Sequence, residues 1–223
     1  MLRKILFAAL ALLIGVMLII FGGQECMVYL KKTTVPLNTS SIGDFNKIAM
    51  TEGEIASVIG NFATMTNEEK LLGLIPISKS DTDYYLVESY SREDIVRIEN
   101  GEEPLTDGFA YIVAASKDET KAALNANLEA WIQYDEGKRD TIPDSVHFEG
   151  KIRKQPNGKD YVKLRDDFAA ECGLPSNVIA EYHAIDSKIG FDGFAVMIIG
   201  IVCVLIGLID GILIIRKFIH RND

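Results

Sequence analysis

The chain has 223 residues, with 32 Asp+Glu against 23 Lys+Arg, a formal net charge of −9 and a mean hydropathy of +0.14. Acidity and hydropathy occupy different segments: residues 5–21 carry no charge, residues 194–215 carry one (Asp210), and residues 24–193 hold 18 Lys+Arg against 30 Asp+Glu, net −12. That charge repels phosphate backbones and excludes a nucleic-acid partner, while two apolar ends exclude an ordinary soluble protein.

The first apolar run, 5–23, is just long enough to cross a bilayer core of about 30 Å, and Arg3 and Lys4 lengthen it by snorkelling. Its apolar core is long for a signal peptide, and Phe21-Gly-Gly-Gln-Glu-Cys26 offers a poor cleavage site. An uncleaved anchor is expected. The second run, 194–215, is closed by Arg216, Lys217 and Arg221, and reads as a second transmembrane helix. Basic residues outside both outer ends place both termini in the cytoplasm and 24–193 outside the cell. Tails of four (1–4) and eight (216–223) residues leave no room for a cytoplasmic domain.

Ala11 and Gly15, like Gly207 and Gly211, are four apart. Such small-residue patches let helix backbones approach in lipid, as a hairpin or a homodimer. Asp210 is an intramembrane acid. It is read as hydrated or paired with Arg3 or Lys4, as a contact for a partner's basic residue, or as part of a proton or ion relay.

Residues 31–43 are polar and turn-rich and read as a linker or irregular lead-in. Strands are expected over 54–59, 74–77, 84–90, 109–114, 145–153 and 178–185. Two main helices are expected, one from the capping box Ser116-Lys-Asp-Glu119 to Gly137 and one from about Asp160 to Cys172. Thr66–Glu69 and Ser91–Asp94 look like caps of shorter turns, and Ile95 to Glu99 fits a strand as well. The sum is one α+β domain with a mostly antiparallel sheet between two transmembrane helices.

For chemistry, His147 and Glu149 lie on one strand face, and Glu181 and His183 on another. Were the two strands neighbours, the four side chains would suit a metal ion; nothing in the spacing requires this, and histidines on an exposed strand face are ordinary. Nucleophile motifs, phosphate loops and cofactor fingerprints do not stand out, and no cofactor is expected. The three cysteines form no framework, with a Cys26–Cys172 disulfide left open.

The layout resembles a group of uncharacterised Gram-positive bacterial membrane proteins, through an N-terminal anchor, Gly53-Glu-Ile-Ala-Ser-Val-Ile-Gly60, Asp83-Tyr-Tyr-Leu-Val87, Val146-His-Phe-Glu-Gly150, a helix and a closing anchor. The resemblance implies two membrane helices around one extracytoplasmic domain and brings no activity or functional residues. The leading expectation is a membrane-tethered module that binds, senses or assists, without catalysis. Its partners would be the lipid bilayer and a protein, or a second copy, held through the membrane helices. The alternatives are an envelope metal-dependent hydrolase and an oligomeric channel or transport subunit.

Overall fold

The computed structural model describes residues 2–38, 41–71, 75–187 and 192–219. Two compact units result: Met1–Lys32 with Ile189–Asp223, and Thr33–Lys188.

The first unit pairs helix α1 (Leu2–Lys31) with the chain's last helix (Asp192–Ile219). Within them, Arg3–Lys31 and Gly193–Lys217 are long and apolar enough to cross a membrane. The helices pack antiparallel at glycines. A Cβ on Gly15 would stand 2.8 Å from the Gly200 carbonyl, one on Gly200 2.8 Å from the Gly15 carbonyl, and one on Gly22 2.6 Å from that of Gly193. At the other end a Cβ on Gly207 would meet the Ala8 carbonyl at 3.0 Å. Small residues therefore recur every seven positions on both helices, the repeat that keeps one seam facing a partner helix.

The second unit is a seven-stranded sheet. Its elements are β1 (Thr34–Pro36), helix α2 (Ile42–Phe45), β2 (Ala49–Ile55), β3 (Val58–Leu71), β4 (Ile75–Glu88), α3 (Arg92–Glu99), β5 (Ala110–Ala115), α4 (Asp118–Asp135), β6 (Val146–Lys154), α5 (Lys159–Glu171) and β7 (Ile179–Ile185), which leaves α6 for Asp192–Ile219. The strand order is β1-β2-β6-β7-β5-β4-β3. Four pairings are antiparallel, while β1–β2 and β5–β7 are parallel. One row crosses every strand: Thr34, Met50, Lys151, Ile185, Ala114, Tyr84 and Ala63. Both connections to the apolar helices, before Thr34 and after Ile185, start from this row.

Each main helix covers one face. Leu124 and Leu128 of α4 pack on Phe45, Ile55, Tyr85, Val87, Tyr111, Phe148 and Ile152. On the other face Tyr161, Phe168 and Ala169 of α5 pack on Tyr84, Leu86, Ile112 and Ile179. Gly60 admits α5 closely, since a Cβ there would meet the Phe168 ring at 2.5 Å. Likewise a Cβ on Gly150 would lie 2.0 Å from the Ile185 carbonyl, so only glycine fits where β6 passes β7.

Three local expectations are corrected, and one open alternative is decided in favour of the cap. The 31–43 lead-in carries regular elements among its described residues: α1 runs through Lys31, Thr34–Pro36 pairs with β2, and Ser41 caps α2 with its hydroxyl accepting from the Gly43 N–H at 3.2 Å. The expected strand 54–59 is broken at Ala56 and Ser57. There Asn127 of α4 accepts from the Val58 N–H at 3.1 Å, and Trp131 donates to the Ala56 carbonyl at 2.9 Å. Thr66–Glu69 caps nothing and lies inside β3. Ile95–Glu99 is helix, because Ser91 and Asp94 form a reciprocal capping box before it. Residue 74 of the expected strand 74–77 and Arg221 of the basic tail lie outside the described residues.

Candidate functional site

A groove of about 330 Å³ opens between the first turns of α4 and the first half of β6. Lys117, Glu119, Thr120 and Ala123 form one wall, and Val146, His147, Phe148 and Glu149 the other. It lies at the carboxyl ends of the parallel strands β5 and β7, where ligands of sheets with parallel strands gather. Charged groups of both signs line it, with Phe148 buried at its base. Such a groove suits hydrogen bonding to a polar or peptide-like group rather than burial of a large apolar ligand.

One wall is set by a carboxylate far away in sequence. Asp186, 1% exposed, follows β7. It accepts from the Ser116 N–H at 2.9 Å, the Ser116 hydroxyl at 2.7 Å and the Lys117 N–H at 2.7 Å. The Ser116 capping box is therefore corrected: Lys117 is the N-cap and makes no side-chain cap bond, because Ser116 is spent on Asp186. A negative group at a helix N-terminus is favoured by the unpaired N–H groups there. Asn127 binds the other end of β6's approach, donating to the Asp144 carbonyl at 2.9 Å. No sequence signal marks Asp186 or Asn127, since their partners stand up to 71 residues away.

The four residues read as a metal set are not brought together. In register His183 stands opposite Arg153, while His147 stands opposite Glu54 on β2. Six residues along β6 separate the two positions, roughly 20 Å. His147, Glu149 and Glu181 are exposed, whereas His183 is buried, 5% exposed. Among the described residues no group of three or more His, Cys, Asp or Glu side chains could hold a metal ion. His183 sits beneath α5 beside Tyr84, ring centroids 6.4 Å apart, and its Nδ1 has no hydrogen-bond partner. Burial pushes its pKa down to about 4; a bond to the Arg153 backbone opposes this and the Arg153 charge adds to it. All three cysteines, Cys26, Cys172 and Cys203, are free.

Among the candidates on the two apolar helices, Gly15 and Gly207 lie in the contact between α1 and α6, and Ala11 is half-buried. A Cβ on Gly211 would meet open space. The seven-residue spacing, rather than the four-residue one, carries the contact. Asp210 is half-buried, and among the described residues no ion pair joins it to Arg3 or Lys4.

Comparison with protein-family models, curated proteins and solved structures finds no match. The functional reading therefore rests on the residues and their geometry.

Proposed function

We propose that the chain is a membrane-tethered binding or accessory module, with residues 24–193 outside the cell and both termini in the cytoplasm. The observation that carries this is the antiparallel packing of two apolar helices at Gly15 and Gly200. An antiparallel pair returns the chain to the side it left, so the sheet lies on one side of the bilayer and the short tails on the other. The basic residues Arg3, Lys4, Arg216 and Lys217 put the tails on the cytoplasmic side. The groove between α4 and β6 is the element that meets the partner, and it engages a polar segment of an envelope protein through Lys117, Glu119, His147 and Glu149.

Photo-crosslinking in intact cells tests the reading. A crosslinker at Thr120 or His147 should capture a discrete partner, and one at Glu171, at the end of α5 on the other sheet face, should not. Equal capture from all three positions rejects the groove as the contact. A membrane-impermeant thiol reagent should label Cys172 from outside intact cells; protection there until lysis rejects the topology.

A further inference from the structure

The groove between α4 and β6 is walled on one side by the edge of a strand rather than by its face. Successive side chains of a strand point to opposite faces of the sheet, yet four consecutive residues, Val146, His147, Phe148 and Glu149, all line the groove. Phe148 is buried in the core that α4 covers, with Val146 packed against it, whereas His147 and Glu149 are exposed. Only a cavity lying along the edge of β6 touches both sets.

The edge is there because β7 stops short. β6 pairs with β2 along Val146–Ile152, and with β7 only along Lys151–Lys154. β7 ends at Ile185, opposite Lys151, and the chain bends at Asp186 and Ser187. The bend is held from the far side. The Asp186 N–H donates to the Ala114 carbonyl of β5 at 3.3 Å, and its carboxylate accepts from the Ser116 and Lys117 N–H groups. These bonds tie Asp186 to β5 and α4 rather than to β6. Among the described residues, no strand continues the lane of β7 beside the first half of β6.

The backbone of that half is set to receive one. The Gln155 N–H donates across to the Glu181 carbonyl of β7 at 3.2 Å. In an antiparallel strand, residues an even number of positions apart direct their N–H and C=O groups to the same side, and neither pairing of β6 has a register shift. The His147 N–H and C=O therefore point away from β2 and into the groove. An open strand edge of this kind is a template for a further strand.

We infer that the groove takes its partner as an added β-strand: an extended segment of another protein lies in the lane that β7 leaves, antiparallel to β6, and exchanges main-chain hydrogen bonds with His147. The segment's residue opposite His147 shares that residue's face of the sheet. The residues on either side of it point toward α4, onto Ala123, Val146 and Phe148. Lys117 and Glu119, both exposed, are left for polar groups. The ligand class is thus an extended peptide recognised through its main chain, with small or apolar side chains at alternate positions. This rests on the groove reading above and adds to it the way the segment is held.

The test uses the full chain in phosphatidylcholine nanodiscs and linear peptides selected against it from a random phage-displayed library. A photo-crosslinker at Thr120 should capture the selected peptides, and one at Glu171 should not. Each peptide is then N-methylated at one residue at a time. Methylation at alternate residues is expected to weaken binding about tenfold or more, and methylation at the residues between them by less than about threefold. Capture at Thr120 without this alternation overturns strand addition and leaves the groove reading standing. No capture at Thr120, or equal capture at Glu171, overturns both. A pair of variants reads the same contact from the other side. His147→Pro and His147→Ala both lose the imidazole, but only the first loses the N–H, which faces the groove and so takes no bond from β2. The proline variant should bind about fivefold or more weakly than the alanine variant; equal affinity overturns the main-chain contact, and the N-methyl scan decides if the proline variant does not fold.

Discussion

Asp186 and Ser116 are joined by two hydrogen bonds, 2.9 Å from the Ser116 N–H and 2.7 Å from its hydroxyl, across 70 residues of sequence. The link fixes the first turn of α4 to the end of β7, and so sets both the groove and the point from which the chain departs for α6. Hydrogen bonds to a charged group are worth about 1.5–3 kcal/mol each, and breaking them also strands buried N–H groups. Asp186→Ala is expected to cost about 3 kcal/mol or more, and Ser116→Ala about 1 kcal/mol, measured by denaturant unfolding of the purified protein. Equal effects of the two would show that the backbone N–H groups contribute nothing.

His183 ties stability to pH. Its folded pKa of about 4 lies below the ordinary 6.5, so the unfolded chain takes up the proton first. The full stability is present above pH 6.5 and falls as pH drops from 6.5 toward 4, by up to about 1.4 kcal/mol per unit and roughly 3 kcal/mol in all. Asp94 adds a further loss at lower pH: burial raises its pKa, but bonds from Ser91, Leu105 and Thr106 outweigh it and hold the carboxyl below its usual range. His183→Leu should flatten the melting temperature between pH 6.5 and 4. A wild-type profile already flat there excludes the buried neutral imidazole.

Tyr111 is fully buried against Phe45 and Phe109, and its hydroxyl has no hydrogen-bond partner. Burial holds its pKa far above the usual tyrosine range. Removing an unsatisfied buried hydroxyl removes a desolvation cost of about 1–3 kcal/mol. Tyr111→Phe is therefore expected to leave the melting temperature unchanged or raise it; a clear drop would reveal a partner for the hydroxyl.

In the helix pair, Gly15→Ile should separate α1 from α6, since its Cβ alone would meet Gly200 and Val204 at 2.8 Å. Gly211→Ile should be tolerated, because nothing stands within 4 Å. Disulfide crosslinking between cysteines at Glu25 and Gly193, where a Cβ on Gly193 would stand 2.6 Å from that of Glu25, reads both: lost in the first variant, retained in the second. Loss in both would restore the four-residue Gly207–Gly211 pattern as the contact.

Most elements are legible in the chain because they follow local rules. Hydropathy marks the two apolar helices, since seventeen or more consecutive uncharged residues have few other uses. The alternation Val146, Phe148, Ile152 marks β6, whose Phe148 and Ile152 are buried as a period of two requires. Residues 160–172 are bounded by Gly173, whose φ of 72° ends α5. Local rules failed where a distant group intervened. Ser116 reads as a cap but binds Asp186, and Glu54 to Ile59 reads as one strand but is split where Asn127 and Trp131 claim its backbone.

The sequence by itself determined that two apolar helices bracket an acidic α+β segment, because length, charge and hydropathy are sums that need no neighbours. Only the tertiary structure decided that His147 and His183 stand apart, that Asp186 seats α4 beside the groove, and that small residues meet every seventh position. These depend on strand register and helix rotation, which a shift of one residue would invert and which are settled by packing across the whole sheet and the helix pair.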